Sequence, residues 1–277
     1  MKTILITGSS GYIGRHLAEV LKGYFVVGLD KVFRPQYTDR FIEQNINDHQ
    51  KIWHPNGGYD VVVHLAAHVN VGKSVMCPME YYRNNIGGTM NMLENLDYDH
   101  FIFASTGAAS EPTSPYATSK LVTERIVREF CGANGKRSTI FRFYNVVGYD
   151  FYAPTNVDGL MYNLMKARQT GEFNLFGTDY DTPDGTCVRD YLHVLEVCEA
   201  IRNAIERPPT GNDLENLGSG VGYTVQQMID TFKKVNECEF KVNHLPRRPG
   251  DLPASVLADI SPYMQKRFTI EEMMKVA

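Results

Sequence analysis

In the first half of the chain, apolar residues arrive in short unbroken runs separated by stretches with helical spacing. Ile4-Leu5-Ile6, Phe25-Val26-Val27-Gly28-Leu29, Val61-Val62-Val63-His64-Leu65 (opened by Asp60), Phe101-Ile102-Phe103-Ala104 and Ser138 to Phe143 read as strands. Between them, Tyr12 to Lys22 reads as a helix. Met79, Tyr82, Ile86, Met90 and Leu93 recur at helical intervals, and Val122, Ile126 and Phe130 mark one face of a later helix. Continuous apolar strands alternating with amphipathic helices predict a parallel sheet covered on both faces. Right-handed crossovers then make the first half a doubly wound α/β fold.

After about residue 144 the texture changes. Tyr, Pro, Gly and Asp cluster between Tyr149 and Gly159 and again between Gly177 and Gly185. Helices are expected over Leu160 to Arg168, Val194 to Glu206 and Val225 to Val235. The pattern predicts a main domain over 1–143 plus roughly 187–217. A smaller C-terminal α/β cap is expected over roughly 144–186 and 218–277, seated at the carboxyl edge of the sheet, where open α/β sheets bind ligands.

Length and composition narrow the classes. The 277 residues suffice for a substantial core, and 43% apolar with 22% charged residues is the balance of a globular chain. With 28 Lys+Arg against 32 Asp+Glu the net charge is −4. That excludes a general basic footprint for nucleic acid or an anionic membrane. No apolar run approaches the roughly 20 residues of a membrane span, and the N-terminal apolar stretch is too short for a signal peptide. The five cysteines (Cys77, Cys131, Cys187, Cys198, Cys238) are scattered and lack C-x-x-C spacing, so a reduced, cytoplasmic protein without disulfides or zinc is expected. His64 and His68 stand four apart, but His64 ends a strand and no acidic ligand follows, so no metal is expected. Glu124 and Arg125 read as a solvated helix face.

Gly8-Ser9-Ser10-Gly11-Tyr12-Ile13-Gly14 joins the first strand to the first helix. Glycines there permit a tight turn, let backbone amides approach a pyrophosphate and let the helix pack on the sheet. The positive end of the helix then faces the phosphates. The spacing is G-x-x-G-x-x-G, and by itself it also fits a plain strand-to-helix turn. Asp30 supplies context: it ends the second strand 22 residues after Gly8. A carboxylate there accepts from ribose hydroxyls and repels a 2′-phosphate, which favours NAD over NADP.

Tyr116-Ala117-Thr118-Ser119-Lys120 places a phenol and an ammonium four residues apart. Pro115 supports a helix start, which would put both on one face. A nearby lysine charge would lower the tyrosine pKa from near 10 and fit the phenol for proton transfer to and from a sugar hydroxyl. Spacing alone decides nothing, since with 16 tyrosines chance supplies about one such pair, and Tyr162 with Lys166 forms a second. Placement separates them: Tyr116 follows a strand ending in Ser105-Thr106, whose hydroxyls sit at the carboxyl edge.

With these residues in view, the chain resembles the UDP-glucose (UDP-galactose) 4-epimerase family of the extended short-chain dehydrogenase/reductase superfamily. The glycine loop, Asp30, His64-Leu65-Ala66-Ala67, Asn84-Asn85, Ser105-Thr106 and the Tyr116/Lys120 pair carry the resemblance through the first half. Gly177 to Val194, Asn216 to Gly220 and Arg247 to Ala254 carry it through the second. The resemblance implies a Rossmann domain holding NAD and a cap holding a UDP-sugar. It implies Tyr116 as acid/base, Lys120 as its partner and ribose ligand, and Thr106 as the catalytic hydroxyl, with its neighbour Ser105 as the less favoured alternative. It places NAD against Gly8, Gly11, Tyr12, Ile13, Gly14, Asp30, Asn45, Ile46, Leu65, Ala66, Ala67, Asn84, Ser105, Tyr116 and Lys120. It places the substrate against Thr106, Tyr116, Asn145, Arg189, Arg248, Asp251 and Ser255, with the arginines clamping the pyrophosphate through bidentate contacts. A homodimer through the helices beginning near Met79 and Tyr116 is implied as well.

Departures from the family pattern carry their own expectations. The stretches between Thr106 and Tyr116 and after Gly148 are short. Asn45 stands where an aspartate is usual, and Val69 where a lysine is usual. Ser255 stands where many relatives carry tyrosine, which suggests room for an N-acetyl group and hence UDP-GlcNAc or UDP-GalNAc. The nearest rival reactions are a 4,6-dehydration or a decarboxylation of a sugar nucleotide. A dehydratase would carry Asp-Glu after the threonine, and here Gly107-Ala108 follows. A non-catalytic NAD-binding module is the remaining alternative.

Overall fold

A computed structural model of the chain describes residues 1–48, 52–55, 57–248, 251–265 and 268–276. The first half runs β1 (Thr3–Thr7), α1 (Tyr12–Val20), β2 (Phe25–Asp30), β3 (Arg40–Glu43), β4 (Tyr59–His64), α2 (Val71–Met76), α3 (Pro78–Tyr81), a π-helical turn (Tyr82–Gly87), α4 (Gly88–Asn95), β5 (Tyr98–Thr106), α5 (Pro115–Ala133) and β6 (Arg137–Phe143). It continues with β7 (Asn145–Val147), α6 (Leu160–Thr170), β8 (Glu172–Phe176), β9 (Val188–His193), α7 (Val194–Glu206) and β10 (Asn212–Leu217). The chain ends with β11 (Gly222–Thr224), α8 (Val225–Val235), β12 (Lys241–Leu245), β13 (Ala254–Ser255) and α9 (Ile270–Met274).

Seven strands form one sheet in the order β10-β6-β5-β4-β1-β2-β3. The pairings β1–β2, β1–β4, β2–β3, β4–β5 and β5–β6 are all parallel. The chain order reverses beside β1, so the fold is a doubly wound α/β sheet with its switch point next to the glycine loop. The strand runs are apolar because both faces are covered: Leu5, Val62, Phe101 and Ile140 are all buried in one core. β3, β10 and α2 escaped the sequence pattern: the centres of β3 and β10 are only partly buried, and α2 exposes Val71, Val75 and Met76.

The chain divides into two compact units, 1–143 with 198–215 and 144–197 with 216–277. The sequence expectation returned to the first unit near residue 187. Strand β9 instead lies in the second, because it pairs with β7, β11 and β13 there. The second unit also holds a parallel β8–β12 pair and a core of Leu164, Phe173, Met228, Phe232 and Met274. Its helix α8 starts in a capping box: Thr224 accepts from the Gln227 amide at 3.0 Å and Gln227 accepts from the Thr224 amide at 2.8 Å.

Candidate functional site

At the carboxyl end of β1 the chain turns sharply through Gly8, whose φ is +72°. A Cβ on Gly14 would lie 2.4 Å from the Gly8 carbonyl oxygen, so only glycine lets α1 start this close to the turn. Gly11 is the N-cap of α1 and no side chain caps that end. Its amide donors thus face outward at the positive end of the helix, the arrangement a phosphate uses. Tyr12 and Ile13 form the first turn. Asp30, at the end of β2, accepts from the Ser10 amide at 3.1 Å, which ties the loop to the strand end. Leu65, Ala66 and Ala67 follow β4 alongside, with the Leu65 amide donating to Thr7 O at 3.1 Å. Asn45 accepts from Asn47 N at 3.0 Å, and Asn47 Nδ2 in turn donates to Asn84 Oδ1 at 3.2 Å. Ile46 is buried against Gly88. The expected cofactor residues other than Ser105 and the α5 pair therefore gather around the switch point.

At the end of β5, Thr106 and Tyr116 meet. Ser114 caps α5 by accepting from Ala117 N at 3.2 Å, and Pro115 occupies the first turn, so Tyr116 stands at the helix start. Burial pushes the Tyr116 phenol up to about 12, and the neighbouring Thr106 hydroxyl pulls the other way. The expectation that the lysine charge would lower this pKa is not met. Lys120 turns its ammonium onto the Ala104 carbonyl at 2.7 Å and over the Phe103 ring. Burial pulls the Lys120 pKa down to about 7, with Glu124 acting in the opposite direction. Desolvation, which disfavours whichever form is charged, dominates both residues.

Glu124 corrects a second expectation. Its carboxylate is only 2% exposed and is gripped by Arg142, Nε to Oε1 at 2.9 Å and Nη2 to Oε2 at 2.6 Å. Ser105 also donates to Oε1. The Ser105 hydroxyl, expected to face the cofactor, is therefore spent in the interior. Arg125 is solvated as expected, and Val122 is exposed rather than on the packed face. The packed stripe of α5 is Ala117, Lys120, Glu124, Val127 and Cys131.

In the second unit, β9 presents Arg189, which donates to Leu252 O at 2.8 Å and lies 3.6 Å from the Asp251 carboxylate. Arg248 closes the same turn, its carbonyl accepting from Asp251 N at 3.3 Å, and its guanidinium stacks 4.1 Å over Phe176. Ser255 pairs with Arg189 across β13 and β9. Asn145, exposed on β7, donates to the Asp190 carbonyl at 3.0 Å. Pro249 and Gly250 of the motif lie outside the described residues.

A sequence model of the NAD dependent epimerase/dehydratase family matches residues 4–218. The chain belongs to this family. It is similar to the UDP-glucose 4-epimerase of Erwinia amylovora, with 33% identity covering 99% of this chain and 96% of the relative. The crystal structure of UDP-glucose 4-epimerase from Bifidobacterium longum in complex with NAD+ and UDP superposes with a TM-score of 0.85 at 29% identity, covering 98% of this chain and 96% of that one. The UDP-Glc/GlcNAc 4-epimerase from Campylobacter jejuni superposes with a TM-score of 0.81 at 28% identity, covering 99% and 97%.

In this epimerase/dehydratase family member three more residues shape the site, of which Asn85 was visible only as part of the Asn84-Asn85 motif and Glu124 only as a solvated charge. Glu124 and Arg142 form the buried pair. Asn85, on the π-helical turn, bonds both backbone groups of His68 (2.8 and 3.0 Å) and donates to Ser119 Oγ at 3.0 Å. The signal for Glu124 was present: Tyr116, Lys120 and Glu124 recur every fourth residue, one stripe of a helix.

Proposed function

We propose that this chain is an NAD-dependent UDP-hexose 4-epimerase. One observation carries the reading: the neighbouring hydroxyls of Thr106 and Tyr116 at the carboxyl end of a central parallel strand, with Lys120 one turn along the same helix. The first unit holds NAD. Gly8, Gly11 and Gly14 leave the uncapped α1 terminus open to a pyrophosphate, and Asp30 at the β2 end takes the adenosine ribose. When bound, NAD supplies a hydride acceptor and a positive ring that draws the Tyr116 phenol toward phenolate. Tyr116 takes the proton of the sugar C4 hydroxyl, and Thr106 donates a hydrogen bond to the same oxygen. Arg189 and Arg248 keep the UDP pyrophosphate in place while the 4-keto sugar turns over, and Asp251 takes the uridine ribose. Tyr116 then returns the proton, leaving the C4 epimer with no net oxidation.

UDP-N-acetylhexosamines are a second substrate class. The observation behind this is Ser255, whose small side chain follows Arg189 across the β9–β13 pair. The enzyme works as a homodimer in the cytoplasm. The helices α2 to α5 pack on one another and leave Val75, Met76, Met79, Met90 and Val122 exposed, an apolar face that a second copy covers. The five cysteines are free thiols, which suits a reducing compartment. No helix among the described residues is long and apolar enough to cross a membrane.

Proton NMR of purified protein with UDP-galactose, with no NAD added, tests the reading. The expected result is UDP-glucose formed by cofactor retained from expression. No conversion, even after NAD is supplied, overturns it. A parallel run with UDP-GalNAc tests the second class, and its failure beside successful UDP-galactose conversion removes that class alone.

A further inference from the structure

We propose that the buried Glu124–Arg142 ion pair, with the Ser105 hydroxyl on the same carboxylate, is a positioning device for the reacting hydroxyls: it fixes α5 against the end of β5 so that Tyr116 meets Thr106. The inference rests on the epimerase reading above and goes beyond it to residues outside the substrate and cofactor.

The geometry connects three elements at one point. Ser105 and Arg142 are register partners across β5 and β6, and both side chains converge on a carboxylate from α5. Arg142 contributes two parallel bonds, at 2.9 and 2.6 Å, which fix direction as well as distance. Ser105 immediately precedes Thr106. On the helix, Glu124 stands one turn beyond Lys120, which stands one turn beyond Tyr116. A shift of α5 along or around its axis would therefore strain the ion pair as it moved Tyr116 relative to Thr106.

A buried ion pair is a poor way to gain stability, since well-packed apolar residues usually serve as well or better. What the pair adds is a single permitted register, and a negative charge next to Lys120. The groups facing Lys120 are Glu124 on α5, the Phe103 ring and Ala104 carbonyl on β5, and His64 on β4, whose ring burial keeps neutral. Arg142 on β6 is held on Glu124. The Glu124 carboxylate thus opposes the burial that strips Lys120 of its proton.

The test uses full-length protein with its retained NAD, measuring kcat and KM for UDP-galactose against pH. Glu124→Gln keeps the shape and removes the charge. A fall in kcat of about 10- to 100-fold is expected, with KM for UDP-galactose nearly unchanged and the alkaline limb of the kcat profile moved to lower pH. Because Glu124→Gln removes the charge that faces Arg142 and can cost folding, a double variant, Glu124→Met with Arg142→Met, accompanies it. That variant is expected to fold with wild-type thermal stability and still to lose kcat. Wild-type kcat and pH profile in either folded variant overturn the inference. An inactive wild-type protein overturns the epimerase reading instead, and the inference with it.

Discussion

In the first unit the residues proposed to do chemistry stand at the ends of regular elements. In the second, the residues proposed to bind UDP stand on two- to six-residue strands and turns, several of which bond to one buried carboxylate. Thr106 ends a nine-residue strand and Tyr116 opens a nineteen-residue helix, so packing of the whole sheet fixes their meeting. Arg189 lies in β9, which pairs with the short strands β7, β11 and β13, and Ser255 lies in the two-residue β13. Next to Arg189, Asp190 is fully buried and accepts from Ser219 N (2.7 Å), Ser219 Oγ (2.7 Å), Gly220 N (2.9 Å) and Leu257 N (3.2 Å). Those four bonds hold the loop after β10 and the segment after β13 to β9. The comparison separates two tasks. Hydride and proton transfer need reacting atoms fixed within a fraction of an ångström, and rigid elements supply that. Gripping a pyrophosphate needs charge on a scaffold that can adapt, and a loop cluster with one polar hub supplies it.

The comparison can be broken first at the phenol. Tyr116→Phe is expected to lower kcat by about 100- to 10,000-fold, with UDP affinity and thermal stability unchanged. Wild-type kcat would place the acid/base elsewhere. At the hub of the second unit, Asp190→Ala leaves four donors without their acceptor. A loss of about 3 kcal/mol or more in unfolding free energy is expected, with faster amide exchange at 218–220 and 255–257. Exchange unchanged in those segments would show that the hub is dispensable.

A smaller effect sharpens the first unit. His64 bonds Thr7 and Thr89 at 2.8 and 3.0 Å, His100 bonds Thr139 at 2.9 Å, and burial pulls both rings down to about 3. Between pH 3 and 6.5 the unfolded chain binds protons that the native rings refuse, so stability is full above 6.5 and falls as pH drops. From pH 6.5 to 5 each ring costs about 2 kcal/mol. Urea unfolding across that range should show the decline, and His64→Gln should remove one ring's share of it. A flat wild-type profile would contradict neutral burial. The smallest effect belongs to the second unit: Ser255→Tyr should cut the ratio of UDP-GalNAc to UDP-galactose turnover by about 10-fold or more. An unchanged ratio would remove Ser255 from specificity.

The same difference explains what could be read from the sequence. Most of the first sheet was legible because β1, β2, β4, β5 and β6 carry apolar runs and the helices between them carry a period, whereas β3 and β10 mix polar and apolar residues. The glycine loop and the Tyr116/Lys120 pair fall at the breaks between them. In the second unit α6 and α8 were legible, but the rest offered Tyr-, Pro- and Gly-rich stretches, and its site residues came from family motifs rather than periodicity. Strand β9 was assigned to the wrong unit because membership depends on partners at 145–147, 222–224 and 254–255, which no local pattern announces. Glu124 was misread for a related reason: a charge on a helix is ordinarily solvated, and only the partner on β6 explains its burial. The pKa of Tyr116 was misjudged because spacing gives the nearness of a lysine but not the direction of its ammonium, which here points to Ala104.

The central claim is that Tyr116 and Thr106 serve a reaction in which the hydrogen at C4 leaves and returns without meeting water. The direct measurement is proton NMR of UDP-galactose conversion in D2O. The account predicts UDP-glucose that keeps protium at C4 through many turnovers. Deuterium at C4 would contradict it, because that hydrogen would then have exchanged as a proton with solvent.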